Sequence, residues 1–388
     1  MDLLCFSHLR WDFVYQRPNH LMSRAAKDYR VFYIEEPVFG GGAPRMVLSQ
    51  REGVTVAVPH INKGRRSVME LQLRTLLDRL VAQERIVRPL LWYYTPMALP
   101  WSRHLQATAG ATIYDCMDHL ASFDGAPRGL LQLEGELMTA ADLVFSGGAS
   151  LHEEKRRRHD AAYCFPSSVD TSHFRQARTV QPEPADQAPV ARPRIGYFGV
   201  IDERIDLGLI AGVAATRPEW QLILVGPTAK IASTAIPSAP NIHRLGAKQY
   251  ADLPAYLAGW DAAMMPFARN EATRFISPTK TPEYLAGGRP VVSTSIRDVV
   301  VPYGDLGLVH IADTTDEFVA AIDRALCEDR ADLMRRADAV LADRSWDRTW
   351  AGMRELVEAL VAPRQRRIGR TTGTAWQPTT VPPVAQPA

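Results

Sequence analysis

Residues 277–292 read Ser277-Pro278-Thr279-Lys280-Thr281-Pro282-Glu283-Tyr284-Leu285-Ala286-Gly287-Gly288-Arg289-Pro290-Val291-Val292. The pattern predicts a helix followed at once by a buried strand. Ser277 suits an N-cap, and Pro278 suits the first helical position, where no N–H partner is needed. Gly287 and Gly288 stop the helix, and Pro290 opens an apolar run typical of a parallel strand. Lys280 is a misfit there, because a cation in the first turn opposes the helix dipole by about 0.3–1 kcal/mol. A bound anion removes the misfit, since helix-start N–H groups and an ammonium together make a phosphate site. Glu283 lies three residues on, on the same face, and can accept hydrogen bonds from a diol such as a ribose. Phosphate plus diol points to a nucleotide. The plainer reading is a surface helix on which Lys280 and Glu283 pair in solvent.

Outward from this stretch, short apolar runs alternate with helical patterns, as in parallel α/β sheets. In the first half, residues 3–7, 31–34, 54–58, 90–94, 112–115 and 143–146 read as strands, and 71–87, 129–140 and 150–157 as helices. A proline-rich segment then precedes a second α/β unit beginning at Arg194-Ile195-Gly196-Tyr197-Phe198-Gly199. The expected division is a first domain over 1–175, a linker over 176–192 and a second domain over 193–345. A final amphipathic helix over 346–361 and a disordered tail over 362–388 complete it.

The chain has 388 residues, too many for one ordinary core, with 46% hydrophobic and 23% charged residues. A net charge of +2 argues against a dedicated nucleic-acid binder. The four cysteines show no metal-like spacing and read as reduced core residues. Met1-Asp2 leads directly into a strand, and no apolar run approaches the roughly 20 residues that span a bilayer. The expected location is therefore cytoplasmic, with any membrane contact peripheral, at the inner face.

The Glu283 helix and the Gly288-Arg289-Pro290-Val291-Val292 turn resemble the signature of GT-B glycosyltransferases, in particular the retaining group 1 (family 4) branch. There, a Glu–seven residues–Glu motif leads into a Gly-x-Pro-Val-Val strand. The first glutamate of that motif falls on Phe275, and Asn270 or Glu271 can stand in for it. Ser168-Val169-Asp170 to Phe174 resembles the segment that closes the first domain in these enzymes, with serine in place of glycine. Trp11-Asp12-Phe13-Val14-Tyr15-Gln16-Arg17-Pro18-Asn19-His20 resembles a segment of the teichuronic-acid-type polysaccharide transferases. The resemblance implies two Rossmann-like α/β/α domains facing an interdomain cleft, with a C-terminal helix crossing back to the first. It also implies a nucleotide-sugar donor, UDP- or GDP-linked, and a glycan or lipid-linked acceptor.

Ligands of open α/β sheets bind at the carboxyl ends of strands, so each candidate follows a strand end. Trp11, Asp12, Gln16, Arg17 and His20 follow the first strand, and Tyr94 and Thr95 end a later one; these are acceptor candidates. Asp115, Asp118 and His119 offer carboxylates and an imidazole as a general base for the acceptor hydroxyl. Either aspartate can instead cap a turn or orient His119. On the donor side stand Gly199, Arg204, Gly226 and Leu245, and then Ser277, Thr279, Lys280, Thr281 and Glu283. Related enzymes place an arginine where Val200 stands, which leaves Arg204 and Lys280 to carry the diphosphate charge. No Asp-x-Asp motif is present to hold a divalent ion, so transfer without a metal or other cofactor is expected. The basic runs at 155–159 and 364–370 read as solvated faces or as contacts to an anionic membrane.

Three other readings compete. A dinucleotide-dependent oxidoreductase lacks its Gly-x-Gly-x-x-Gly after the first strand, and Gly40-Gly41-Gly42 comes one strand late. A non-catalytic binding or scaffold descendant would explain Val200 and Phe275. A sugar-nucleotide epimerase on the same fold would need only the donor.

Overall fold

The computed structural model describes residues 1–179 and 181–371, with side chains to residue 363. Two α/β units face one another. The first sheet comprises β1 (Asp2–Phe6), β2 (Arg30–Ile34), β3 (Val38–Phe39), β4 (Arg45–Arg51), β5 (Val54–Ile61), β6 (Leu90–Tyr93), β7 (Ala111–Cys116), β8 (Leu143–Ser146) and β9 (Ala162–Cys164). Its order is β3-β5-β2-β1-β6-β7-β8-β9, parallel apart from β4, which runs antiparallel on the edge of β5. The second sheet comprises β10 (Arg194–Phe198), β11 (Gln221–Val225), β12 (Ile242–Gly246), β13 (Ala262–Met265), β14 (Val291–Ser293) and β15 (Val309–Ile311), in the order β12-β11-β10-β13-β14-β15.

Central strands such as β6, β8 and β13 are buried along their whole length, which explains their unbroken apolar sequence. Strand order reverses between β1 and β6 in one sheet and between β10 and β13 in the other. Loops leaving the carboxyl ends there splay apart and open a crevice. The two crevices meet to form the interdomain cleft.

The C-terminal helix spans Trp346–Thr371 and crosses back to the first domain. Trp346, Trp350, Met353, Val357 and Val361 are buried in the same cluster as β1 and β6 side chains. Trp350 Nε1 donates to Asp28 at 2.8 Å. This helix carries on past residue 361, where the tail was expected to start. The basic run at 364–370 and the tail over 372–388 lie outside the described side chains and residues respectively.

Several boundaries differ from expectation. Val169 and Phe174, assigned to the first domain, are buried in the core cluster of the second. The linker is laid against that domain: Gln187 is buried, donating to Tyr256 O and accepting from Trp260 Nε1. Lys155, read as part of a solvated basic run, is fully buried and paired with Glu134 at 2.8 Å and Glu154 at 2.7 Å. β5 was expected, but its antiparallel partner β4 was not anticipated. Cys5 and Cys116 are buried but Cys327 is exposed, and all four cysteines are free. No helix among the described residues is long and apolar enough to cross a membrane.

Candidate functional site

A cavity of about 670 Å³ fills the cleft, lined by loops from both sheets. From the second domain come the turns after β10 and β11, the segment after β12, and the start of the Lys280–Ala286 helix. That helix begins later than Ser277 predicts. Thr279 is its N-cap and provides no side-chain cap bond. Ser277 instead accepts a 2.5 Å hydrogen bond from Ser167 of the first domain through its carbonyl, so it joins the two halves.

Gly199 and Gly226 both adopt positive φ, +143° and +145°, where L side chains are strained. Each also makes room for a neighbour. A Cβ on Gly199 would run into Lys280 Cε, and one on Gly226 would run into the Gly199 carbonyl. The Lys280 side chain therefore lies across the glycine turn, its Nζ 6.0 Å from the Tyr197 ring centre. It has no carboxylate partner within ion-pairing distance among the described residues. Burial lowers its pKa, Glu283 raises it in part, and Arg204 lowers it again. Glu283 lines the same wall; burial pushes its carboxyl up to about 7 against the pull of Lys280.

Arg204 also lines the cavity but is not free. Its guanidinium binds Asp202, the closest atoms 2.6 Å apart, and lies 5.3 Å from the Phe123 ring of the first domain. Burial opposes its charge and Asp202 outweighs that effect, so its pKa rises. Thr279 lines the cavity, whereas Thr281 is buried with its hydroxyl 3.5 Å from Met265 Sδ. Leu245 packs against the domain core and not into the cavity, while its neighbour Arg244 lines a recess of about 350 Å³ that adjoins it at Gly226 and Pro227. Asn270 and Glu271 lie off the cavity: Asn270 caps Thr273 N at 3.1 Å, and Glu271 is exposed beside Arg274. Phe275 packs against the first-domain cluster, 5.2 Å from the His119 ring.

The first-domain wall holds Trp11, Asp12, Gln16, Arg17 and Asp118. Arg17 and Asp115 are both almost completely buried and paired at 2.9 Å, and Arg17 also donates to Phe165 O at 2.7 Å. Burial pushes the Asp115 carboxyl up and Arg17 pulls it back. Asp115 is thus a structural anion, not a base open to an acceptor. Asp118 differs. It lines the cavity, and no donor bonds its carboxylate among the described residues. Burial raises its pKa while Arg204 and Arg17 lower it.

His119 faces elsewhere, its Nδ1 2.5 Å from Ser122 Oγ. His20 is buried and stacked on Trp346 at 4.6 Å, holding the crossover helix. Tyr94 and Thr95 are buried off the cavity, Thr95 accepting from Met97 N at 3.2 Å. Trp11 is buried edge-on to Tyr33, with its backbone N–H on Glu35. Asp12 pairs with Arg51 at the cavity mouth.

Sequence reasoning missed Tyr15, Arg51, Glu52 and Tyr250. Tyr15 donates to Glu52 at 2.9 Å and stacks on Tyr250 at 4.6 Å, closing the cavity floor across the domains. The Trp-Asp segment pointed to Tyr15, but nothing in the sequence brought Arg51 and Glu52 there. Among the described residues no group of three or more His, Cys, Asp or Glu is placed to hold a metal ion.

Two parallel-sheet domains, a cleft at both switch points and a returning helix define the GT-B fold. Residues 192–328 match the family model described as glycosyl transferases group 1. A Bacillus subtilis (strain 168) protein, TuaH, provisionally named a teichuronic acid biosynthesis glycosyltransferase, is 25% identical over 58% of this chain. The matched region spans 60% of that relative's length. Among solved structures, sucrose-phosphate synthase from Thermosynechococcus elongatus superposes with a TM-score of 0.70 at 15% identity, covering 93% of this chain and 99% of its own. The E. coli trehalose-6-phosphate protein bound with UDP-2-fluoro glucose gives 0.69 at 11%, covering 92% and 99%. HepE from Anabaena in complex with UDP gives 0.64 at 16%, covering 92% and 100%.

Proposed function

We propose that this chain transfers a glycosyl group from a UDP- or GDP-linked sugar to a hydroxyl of a glycan or lipid-linked acceptor, in cell-surface polysaccharide synthesis. The observation that carries it is the Lys280 ammonium, with no ion-pair partner among the described residues and laid across the Gly199 turn in the interdomain cavity. Lys280 and the adjoining amides receive the diphosphate, and Glu283 accepts the ribose hydroxyls. The recess beside Gly226 takes the base, with Arg244 on its wall in place of Leu245. The UDP carried by two of the similar structures supports a uridine donor. The relative's teichuronic acid assignment supports an envelope polysaccharide as product.

In the transfer, the acceptor oxygen bonds to the anomeric carbon while the bond from that carbon to the β-phosphate oxygen breaks. The electron pair leaves with the diphosphate, whose growing charge Lys280 stabilises without a metal ion. Asp118, half-buried and without a donor, orients the acceptor hydroxyl and takes its proton if the configuration inverts. In a retaining route the proton passes to the departing diphosphate oxygen.

Calorimetry with UDP and GDP, followed by a donor-turnover assay, tests this reading. Nucleotide should bind the full chain, and Lys280→Ala or Glu283→Ala should weaken binding strongly. No binding of either nucleotide removes the proposal. Phe275, turned into the first domain where a sugar-gripping glutamate is expected, favours a second reading as a binding protein. That reading gives nucleotide binding with no release of nucleotide from any sugar donor. An epimerase would convert the donor without an acceptor.

A further inference from the structure

Five of the twelve large hydrophobic side chains exposed among the described residues fall between positions 39 and 71. They are Phe39, Val47, Leu48, Val68 and Leu71. Phe39 ends β3, which pairs in parallel with the end of β5 at Ile61. Val68 and Leu71 lie three residues apart on the outer face of helix α2 (Arg66–Gln83), 47% and 64% exposed. The inner face of that helix buries Leu73, Leu76, Leu77 and Leu80, and its first two turns are apolar on the outside as well, before exposed Arg74, Asp78 and Arg79 follow. Leu48 sits on β4, the edge strand, opposite Ala57 and so on the sheet face that α2 covers, while Val47 points to the other face. Clustered apolar exposure of this kind marks an interaction surface, whereas scattered single residues do not.

The charges of the same segment are one-sided. Arg45, Arg51, Lys63, Arg65 and Arg66 stand against Glu52 and Glu70, a net +3 where the whole chain carries +2. Arg66 pairs with Glu70 and Arg51 with Asp12. Arg45, Lys63 and Arg65 have no carboxylate partner within ion-pairing distance among the described residues, and Lys63 Nζ lies 5.8 Å from the Phe39 ring. Arg65 is the N-cap of α2, and the first turn of that helix contains no acidic residue. Cations there oppose the helix dipole, so the surface is incomplete without anions. The carboxyl ends of β3 and β5 lie on the same edge of the sheet as the end of β1, whose loop Ser7–Gln16 enters the cleft.

We propose that this rim docks the protein on an anionic lipid bilayer. Aliphatic side chains interleaved with unpaired cations fit a surface where apolar groups enter the acyl boundary and ammonium and guanidinium groups meet phosphates. A second copy of the chain would instead bring like charges together. The rim contains none of the nucleotide-contacting residues proposed above, so vesicle binding and donor binding succeed or fail separately.

Co-sedimentation of the full chain with phosphatidylcholine vesicles, with and without phosphatidylglycerol, tests this. Binding should require the anionic lipid and weaken with salt. Val68→Ser with Leu71→Ser should lower partitioning by about tenfold or more. Lys63→Gln and Arg65→Gln should each cost about fivefold, with circular dichroism and UDP affinity unchanged. These two charge substitutions, exposed and remote from any core, keep the test valid if the aliphatic pair unfolds. Absence of binding to anionic vesicles overturns the proposal, as does binding that neither set of substitutions changes. Lipid-free self-association abolished by the aliphatic pair would reassign the rim to a contact between copies and equally overturn it.

Discussion

The two walls of the cleft treat their charged groups differently. On the first-domain wall, Arg17 and Asp115 satisfy one another in the interior, and Asp12 is taken up by Arg51. On the second-domain wall, Lys280 and Glu283 face the cavity with no ion-pair partner among the described side chains, Glu283 held only by the Thr279 hydroxyl, and burial moves both pKa values toward the neutral form. Asp118 is the first-domain exception. The contrast separates scaffold from site: a paired buried charge holds loops in place, whereas an unpaired one at a cavity wall awaits a ligand.

Substitutions can break that contrast. Arg17→Ala leaves Asp115 buried and alone, and should cost about 3–5 kcal/mol of unfolding free energy, read by urea titration. Its effect on donor affinity in the folded fraction should be slight; a large one would move Arg17 into the site. Lys280→Ala should do the opposite, reducing kcat/KM by about 10²–10³-fold, or roughly 2.7–4 kcal/mol, with stability nearly intact.

Glu283 adds a pH signature. Its folded pKa of about 7 lies above the ordinary 4.5, so the native state holds a proton that the unfolded chain has released. Stability should therefore fall as pH rises from 5 to 8, by about 2–3 kcal/mol in the free protein, and then level off. Glu283→Gln should flatten that slope; an unchanged slope would place the titration elsewhere. At the small end, Glu271→Ala should alter neither nucleotide affinity nor stability by more than about 0.5 kcal/mol, because the residue is exposed and off the cavity. A marked loss of affinity would return it to the donor site.

Much of the fold was legible because parallel strands buried on both faces leave unbroken apolar runs, as in Leu90–Tyr93 and Leu143–Ser146. The antiparallel β4 was not, since an edge strand with Arg45, Gln50 and Arg51 carries no such run. The helix-start pattern brought out Lys280 and Glu283, and position at a strand end brought out Gly199 and Asp118, all of which line the cavity. Asp115, Tyr94, Thr95, His20 and Leu245 also lie at or past strand ends yet sit off it or in the core, because orientation decides where a side chain goes. Successive residues of a strand point to opposite faces, and one step separates Arg244 on the recess wall from Leu245 in the core. Pairing was equally hidden: Arg17 and Asp115 are 98 residues apart.

The returning helix has a consequence for biosynthesis. Trp346, Trp350, Met353 and Val357 complete the cluster that covers β1 and β6, yet they are translated some 340 residues after β1. While the ribosome is making the second domain, the first therefore presents an open apolar trough to chaperones and to other nascent chains. Its last layer arrives only after the second domain has been made, so the earlier-made half is finished after the later one.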